Sequence, residues 1–375
     1  MSKQPRVVIS GAGIIGASTA YYLSLRGVRP IVLDACTPAS SASGKAGGFL
    51  ALDWCEGSTV DSLARKSFAL HAELAKDFDC GYRKMRAHSA MLEDEDLKKK
   101  SIGGRRGSTT TVPSCFNEMR LRRCQVIGSE DTVAQVHPKL LTEALLEYVV
   151  EHGGVVRSHT KAAKLEMNHD TGRVTGLLVQ HESQELELIE ADVVVFAMGA
   201  WTTESLKYIL PEEYPHTLPA VEGLKVHSIV LEDAESRMTP DALFLSHGSK
   251  EPEVYPRPDK TVYICGVQSD EPLPTLASMV EPEGEAIEYL QGVACSISDG
   301  TPGALLQQQA CYLPCSSTNK PIIGELPDIS GAFIAAGHSC WGILMGPATG
   351  LGLAERILTR ENSFSVNLDP FTPCI

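Results

Sequence analysis

Three glycines open the chemistry of this chain. Gly11, Gly13 and Gly16 form GxGxxG, with Asp34 about 20 residues further on. The first glycine permits a tight turn, the second lets the backbone approach a pyrophosphate, and the third lets a helix pack closely on a strand. A helix starting there would also turn its N-terminus, and its partial positive charge, toward the phosphates. Asp34 can accept hydrogen bonds from a ribose diol. An acid rather than a base at this position argues against a 2′-phosphate, and therefore against NADP. A second small-residue stretch, SSASGKAGG, spans residues 40–48. A compact nicotinamide dinucleotide has no need of it. A longer dinucleotide needs backbone that passes close to its second half. Ser41 and Ser43 can donate to phosphate, Lys45 can offset its charge, and Gly47 and Gly48 leave room for a ring. A third loop, GHSCWGILMGPATG, spans residues 337–350, where a helix N-terminus can favour negative charge on a reduced flavin.

These loops need elements to hold them. Residues 6–10 (RVVIS) form a β-branched run, residues 17–25 a helix that Gly27 can end, and residues 30–34 (PIVLD) a second strand. Together they make a complete βαβ unit around the first loop. Residues 60–78 and 138–152 have helical patterning, and strands are expected at 155, 174–179, 186–188 and 191–198. The stretch 79–134 has no clear period. A strand at 262–266 and a helix at 283–295 follow, then a strand at 331–336 and a closing helix from Pro347 to Leu358. Because glycine loops lie at both ends, one cofactor site requires the ends to meet around an inserted segment.

Bulk composition narrows the function. The chain has 375 residues, 43% of them hydrophobic, enough for two domains. Its formal net charge of −14 argues against a broad nucleic-acid-binding face. The basic group Lys98, Lys99, Lys100, Arg105 and Arg106 lies in a Gly/Ser/Thr-rich stretch and is expected to be a solvated loop. Eleven cysteines, an odd number without metal-like spacing, suit free thiols in a reducing compartment; no metal site is expected. The start carries no apolar leader, and no apolar run approaches a membrane span. A cytoplasmic protein is expected, with peripheral membrane association left open. Oligomeric state is not readable.

The segments VVISGAGIIGASTAYYLSLRG, IVLDA, SSASGKAGG, ADVVVFAMGAW and KPIIGELPDISGAFIAAGHSCWGILMGPATG occur in one order across nearly the whole chain. In this the sequence resembles the D-amino-acid oxidase and glycine/sarcosine oxidase family of flavoproteins. Within it, the chain is more similar to uncharacterised eukaryotic FAD-dependent oxidoreductases than to a named amino-acid oxidase. The resemblance implies an α/β fold: a discontinuous Rossmann-type FAD-binding domain (1–78, 135–225, 305–375) and an inserted, mainly antiparallel β-sheet substrate domain (79–134, 226–304). It implies that Gly11, Ala12, Gly13, Ile14, Ile15, Gly16, Asp34 and Ala35 hold the ADP half of non-covalent FAD. It places Ser41, Ser43, Lys45, Ala46, Gly47 and Gly48 along the diphosphate and flavin, and Ala162 against adenine. Gly199 and Trp201 would cover the cofactor, and Gly337, His338, Ser339, Trp341, Gly342, Ile343 and Leu344 would line the flavin.

The resemblance also exposes departures. Leu313 stands where D-amino-acid oxidases carry a carboxylate-binding Arg, and Leu344 where sarcosine oxidases carry a Lys. Cys311 falls where sarcosine oxidases attach FAD by a thioether, and is read as a buried structural thiol. Arg257 is a candidate replacement cation, and His338 a candidate acid or base. The expected activity is hydride transfer from a C–N bond of a small amine or amino-acid-like molecule to flavin N5, with reoxidation by oxygen or another acceptor. A flavin C–O dehydrogenase is one alternative. A flavoprotein whose structural FAD serves a partner-binding or membrane-trafficking role is another.

Overall fold

The computed structural model describes residues 4–93, 112–233, 236–298, 302–359 and 364–373. The basic group at 98–106 lies outside them. A six-stranded sheet runs in the order Ile322–Glu325, Ala332–Ala336, Val193–Phe196, Val7–Ser10, Ile31–Leu33, Val155–Arg157. All neighbours are parallel except the first pair. Its central strands are short, mainly apolar and buried, because both faces are covered there. The period of two divides them: Val7, Ile9, Val193 and Val195 face a helical layer, while Val8, Val194 and Phe196 face the other side.

The helical layer contains Ile14–Ser24, Asp61–Leu74, Pro138–Glu151 and Gly342–Leu358. Close packing there depends on glycine. A Cβ on Gly16 would sit 1.9 Å from the Gly11 carbonyl oxygen, and one on Gly350 would sit 2.4 Å from the Ser18 backbone. The opposite face carries the three-stranded antiparallel sheet Thr160–Asn168, Arg173–His181, Leu186–Glu190 and the helix Thr202–Ile209.

A seven-stranded sheet forms the second layer system, in the order Leu305–Ser316, Val221–Glu232, Thr261–Ser269, Glu253–Pro256, Asp241–Ser246, Arg86–Leu92, Leu121–Gly128. It is antiparallel except where Asp241–Ser246 runs parallel to Arg86–Leu92. Helix Gly284–Ile297 packs on it through Ile287, Leu290 and Val293. The expected seam at 225/226 falls inside a continuous twelve-residue strand. Residues 305–316, expected with the dinucleotide-binding part, form the edge strand of this sheet. The stretch without period supplies two further strands of it, Arg86–Leu92 and Leu121–Gly128. Among the described residues, no helix is long and apolar enough to cross a membrane.

The closing helix differs from expectation. It begins at Gly342, five residues before Pro347, which lies inside it. Proline has no N–H to give the carbonyl four residues back, so the Ile343 carbonyl loses its helical donor. Helix Asp61–Leu74 replaces it. His71 Nε2 lies 2.9 Å from the Ile343 oxygen and 3.2 Å from that of Leu344. Both partners are acceptors, so Nε2 carries the proton. The Ala348 N–H, freed from Leu344, donates to Ser67 Oγ at 3.0 Å. Ser67 and His71 are one turn apart and fully buried, a clamp of two side chains on one broken turn. Burial lowers the His71 imidazole to about 4, against the two carbonyl bonds, which raise it.

Candidate functional site

The two chain ends meet at a cavity between the sheets. Its walls include Gly11, Gly13, Ile14 and Ile15 from the first loop and Asp34 and Ala35 from the second strand. Ser41, Ser43 and Ala46 come from the small-residue loop, with Ala162, Gly199 and Trp201 beyond them. His338, Ser339, Gly342 and Ile343 close it from the C-terminal loop, and Leu313 from the edge strand. These sixteen of the residues named from sequence are brought together on one surface, along with Leu313.

The local geometry follows from residue type. Gly11 adopts φ +113°, and a Cβ there would lie 2.1 Å from the Ala197 carbonyl oxygen; only glycine allows that turn. A Cβ on Gly13 would come within 2.9 Å of Ser43 Oγ, so the two loops leave only a narrow corridor. Ser43 Oγ accepts from the Ile14 N–H at 2.9 Å, keeping its hydroxyl proton free to donate. Asp34 accepts from the N–H groups of Ala12 and Cys36, one on each carboxylate oxygen, both at 2.9 Å. Burial pushes its carboxyl up while these donors pull it down. Each oxygen keeps a second lone pair for a ribose hydroxyl. The N-terminus of the seventeen-residue closing helix opens on the same cavity through Gly342 and Ile343.

The other named residues act from behind the walls. Ala12 is buried and contributes its N–H to Asp34. Gly16 packs on Gly11. Gly47 lies against the rings of Tyr255 and Tyr263, and Gly48 at φ +83° against the Val136 carbonyl. Gly337 turns at φ +79° beside Ser316. Leu344 is buried, its carbonyl held by His71. Trp341 is half-buried and packs toward Trp54. Lys45, expected to offset phosphate charge, donates instead to the Ala310 carbonyl at 3.0 Å and faces a separate surface cavity.

The two catalytic candidates are placed differently. Arg257 does not line the main cavity; it faces the surface cavity that Lys45 shares. Its guanidinium donates to the Ala46 carbonyl at 2.9 Å and lies 4.9 Å from the Tyr263 ring centroid. It braces the small-residue loop from just past the strand Glu253–Pro256, a contact 211 residues apart that a turn-like VYPRPD does not disclose. His338 does line the cavity, buried, with Nε2 3.1 Å from Thr349 Oγ1. Burial lowers its imidazole to about 3, so it stays neutral across the physiological range and is poorly poised as a general acid. Among the described residues lining the cavity, Lys161 is the one lysine or arginine. It precedes Ala162 in the strand Thr160–Asn168.

Sequence reasoning missed Glu253. Its strand pairs with Thr261–Ser269 so that Glu253 sits opposite Cys265 and Tyr255 opposite Tyr263. The alternation E-V-Y in one strand and Y-I-C in the other was the available signal, since a period of two sets all four side chains on one face. Tyr255 Oη donates to Glu253 Oε2 at 2.6 Å, and Cys265 Sγ lies 3.6 Å from it.

Parallel strands, a glycine turn and an acid at the second strand's end define a dinucleotide-binding α/β protein joined to an antiparallel sheet. Residues 6–356 match the family described as FAD dependent oxidoreductase, and the chain belongs to that family. The Schizosaccharomyces pombe protein C1F5.03c, of the oxidoreductase class, is 29% identical over 400 residues, covering 100% of this chain and 99% of that protein. Glycine oxidase of Geobacillus kaustophilus is 25% identical, covering 99% of this chain and 97% of its own. A crystal structure of glycine oxidase from that organism shares the fold, with a TM-score of 0.78 at 21% identity and 99% of each chain covered. The L-proline dehydrogenase from P. horikoshii likewise gives 0.78 at 16% identity, over 100% of this chain and 98% of that one. The protein is therefore an FAD-dependent oxidoreductase related to amine and amino-acid oxidases.

Proposed function

We propose that this enzyme oxidises a C–N bond of an amine or amino-acid-like molecule, using non-covalent FAD held in the cavity between the two sheets. The observation that carries the reading is that cavity, which joins the GxGxxG turn and Asp34 to the N-terminus of the closing helix. The residues fit the cofactor: a corridor that a Cβ on Gly13 would narrow, a carboxylate with open lone pairs, and a helix N-terminus at the far end. Gly11, Gly13 and Ser43 would carry the diphosphate, Asp34 the ribose, and Ala162 the adenine. Gly342 and Ile343 would present N–H groups to the ring system. When bound, FAD supplies the capacity to accept a hydride from substrate carbon, and the chain supplies orientation and exclusion of water. Relatives such as the 4-methylaminobutanoate oxidase of Paenarthrobacter nicotinovorans, 24% identical over 96% of this chain and 44% of its own, are named for C–N substrates.

The attachment is testable. Cys311 is buried, does not line the cavity, and burial pushes its thiol up to about 12. The thiolate, the reactive form, is then scarce at neutral pH. On a denaturing gel under ultraviolet light, flavin fluorescence is expected to leave the polypeptide. Fluorescence that stays with the band would show a covalent bond.

Substrate preference follows from the cavity walls. Leu313 lines the cavity where a carboxylate anchor is expected, and Arg257 faces elsewhere. Losing a charge-assisted anchor costs roughly 10- to 100-fold in binding. Glycine, sarcosine and simple D-amino acids are expected to be turned over at least that much less efficiently than the best amine in an anaerobic flavin-bleaching panel. Efficient turnover of any of them, unchanged by Arg257→Leu, would reveal a carboxylate anchor elsewhere and refute this assignment.

A further inference from the structure

Beside the cofactor cavity lies a group of aromatic rings that includes Tyr255, whose hydroxyl holds the Glu253 carboxylate. Phe49, Trp54 and Phe244 pack at centroid distances of 4.9–5.1 Å. Tyr255 lies 5.7 Å from Phe49 and 5.8 Å from Phe244, and Trp341 is edge-on to Trp54 at 6.5 Å. Tyr263 stacks on Tyr255 at 6.1 Å and donates to the Lys45 carbonyl at 2.8 Å. Phe49, Trp54, Phe244 and Trp341 are each only half-buried, so the group keeps accessible ring surface. It adjoins the cavity where Cys340, next to Trp341 in the chain, and Ala46, next to Gly47, line the wall, with Gly47 wedged against Tyr255 and Tyr263.

Glu253 is out of place in such surroundings unless its charge has a use. Its partners are the neutral donors Tyr255 and Cys265. Among the described residues, no Lys, Arg or His forms an ion pair with it. Burial pushes its carboxyl up, against the bonds from Tyr255 and Cys265, which pull it down. A purely structural bond to Tyr255 would be made as well by a neutral amide. Ring faces with a carboxylate beside them match the chemistry that recognises an alkylammonium ion. The same carboxylate repels a substrate carboxylate, consistent with Leu313 on the adjoining wall.

We propose that Glu253 and the rings of this cluster bind the ammonium group of an apolar amine that carries no carboxylate near its nitrogen. This rests on the C–N reading above and narrows its substrate class.

The test uses the FAD-loaded enzyme and three aryl probes of similar size: benzyltrimethylammonium, benzyl methyl ether and phenylacetate. Flavin absorbance and tryptophan fluorescence report binding, the latter through Trp54 and Trp341. The cation is expected to bind, with phenylacetate about tenfold weaker or more. Glu253→Gln is expected to weaken the cation about tenfold and leave the ether unchanged, at unaltered FAD content and Tm. Phe244→Leu, which keeps the carboxylate, is expected to weaken the cation several-fold. Equal cation affinity in the wild type and both variants, or tighter binding of phenylacetate than of the cation, would overturn the proposal. If Glu253→Gln does not fold, the probe ranking and Phe244→Leu decide it alone. Flavin reduction by alcohols but by no amine, with the cation still held through Glu253, would instead refute the C–N reading and leave the ammonium site standing.

Discussion

A Gly13→Leu variant is expected to fold and to purify without flavin. The corridor between the first loop and the small-residue loop is set by Gly13 and Ser43, with 2.9 Å from a Gly13 Cβ to Ser43 Oγ. Its nearest neighbour is the mobile end of a short side chain, so a modest rotation of Ser43 relieves the contact and the fold survives. The rest of the leucine then projects into the space the pyrophosphate needs. Loss of close backbone contact to two phosphates should lower FAD affinity by at least about a hundredfold, near 3 kcal/mol. Flavin absorbance per polypeptide after gel filtration measures it, with circular dichroism confirming the fold. A yellow variant with normal FAD content would place the cofactor elsewhere.

The second large effect concerns the clamp on the closing helix. Removing the imidazole in His71→Leu leaves the Ile343 carbonyl without a donor in a buried setting, which should cost about 1–3 kcal/mol. Because Gly342 and Ile343 line the cavity, FAD retention should fall as well, whereas a merely structural surface histidine would leave it unchanged. The pH profile gives an independent readout. The folded imidazole is held down at about 4, below the unfolded value near 6.5. Between those values the unfolded chain binds the extra proton. The stabilising contribution is therefore full above about pH 6.5 and is lost as pH falls toward 4. From pH 7 to 5 the loss is on the order of 2 kcal/mol for this group. His338, held at about 3, adds a loss of the same sign. Urea midpoints across that range should drop in the wild type, and drop less steeply in His71→Leu. Parallel profiles would show that His71 is not the buried neutral group described.

The two variants divide the site according to what a linear sequence can disclose. Gly13 was legible because its reason is local: strand, turn and helix follow one another within the first 34 residues, and the glycines act through their own backbone. Asp34, Ser41 and Ser43 lie within about ten residues of that unit and line the same cavity. The closing of the cavity by the C-terminal loop was legible too, since glycine loops at both ends serve one cofactor only if the ends meet. His71 was not legible. It sits in an ordinary helical stretch, and its meaning depends on a carbonyl 272 residues away. Pro347 was read as a helix start, where proline is at home. In fact the helix runs through it because Ser67 and His71 take over the lost bonds.

Electrostatic roles show the same division. Lys45 and Arg257 were given anionic partners on charge alone, and the structure spends both on backbone carbonyls, at Ala310 and Ala46. Residue type states what a side chain can do; direction and burial decide what it does.

The sequence by itself determined the βαβ unit, the positions of the glycine turns, the acid that ends the second strand, and the α/β class with an inserted antiparallel sheet. These depend on periodicity and on backbone freedom, which are properties of neighbouring residues. Only the tertiary structure decided that residues 305–316 belong to the seven-stranded sheet, that His338 is a buried neutral group, and that Glu253 accepts from Tyr255 at the edge of an aromatic cluster. Strand pairing, desolvation and ring packing are set by residues far apart in the chain, and their energies come into being only when folding removes the water between them.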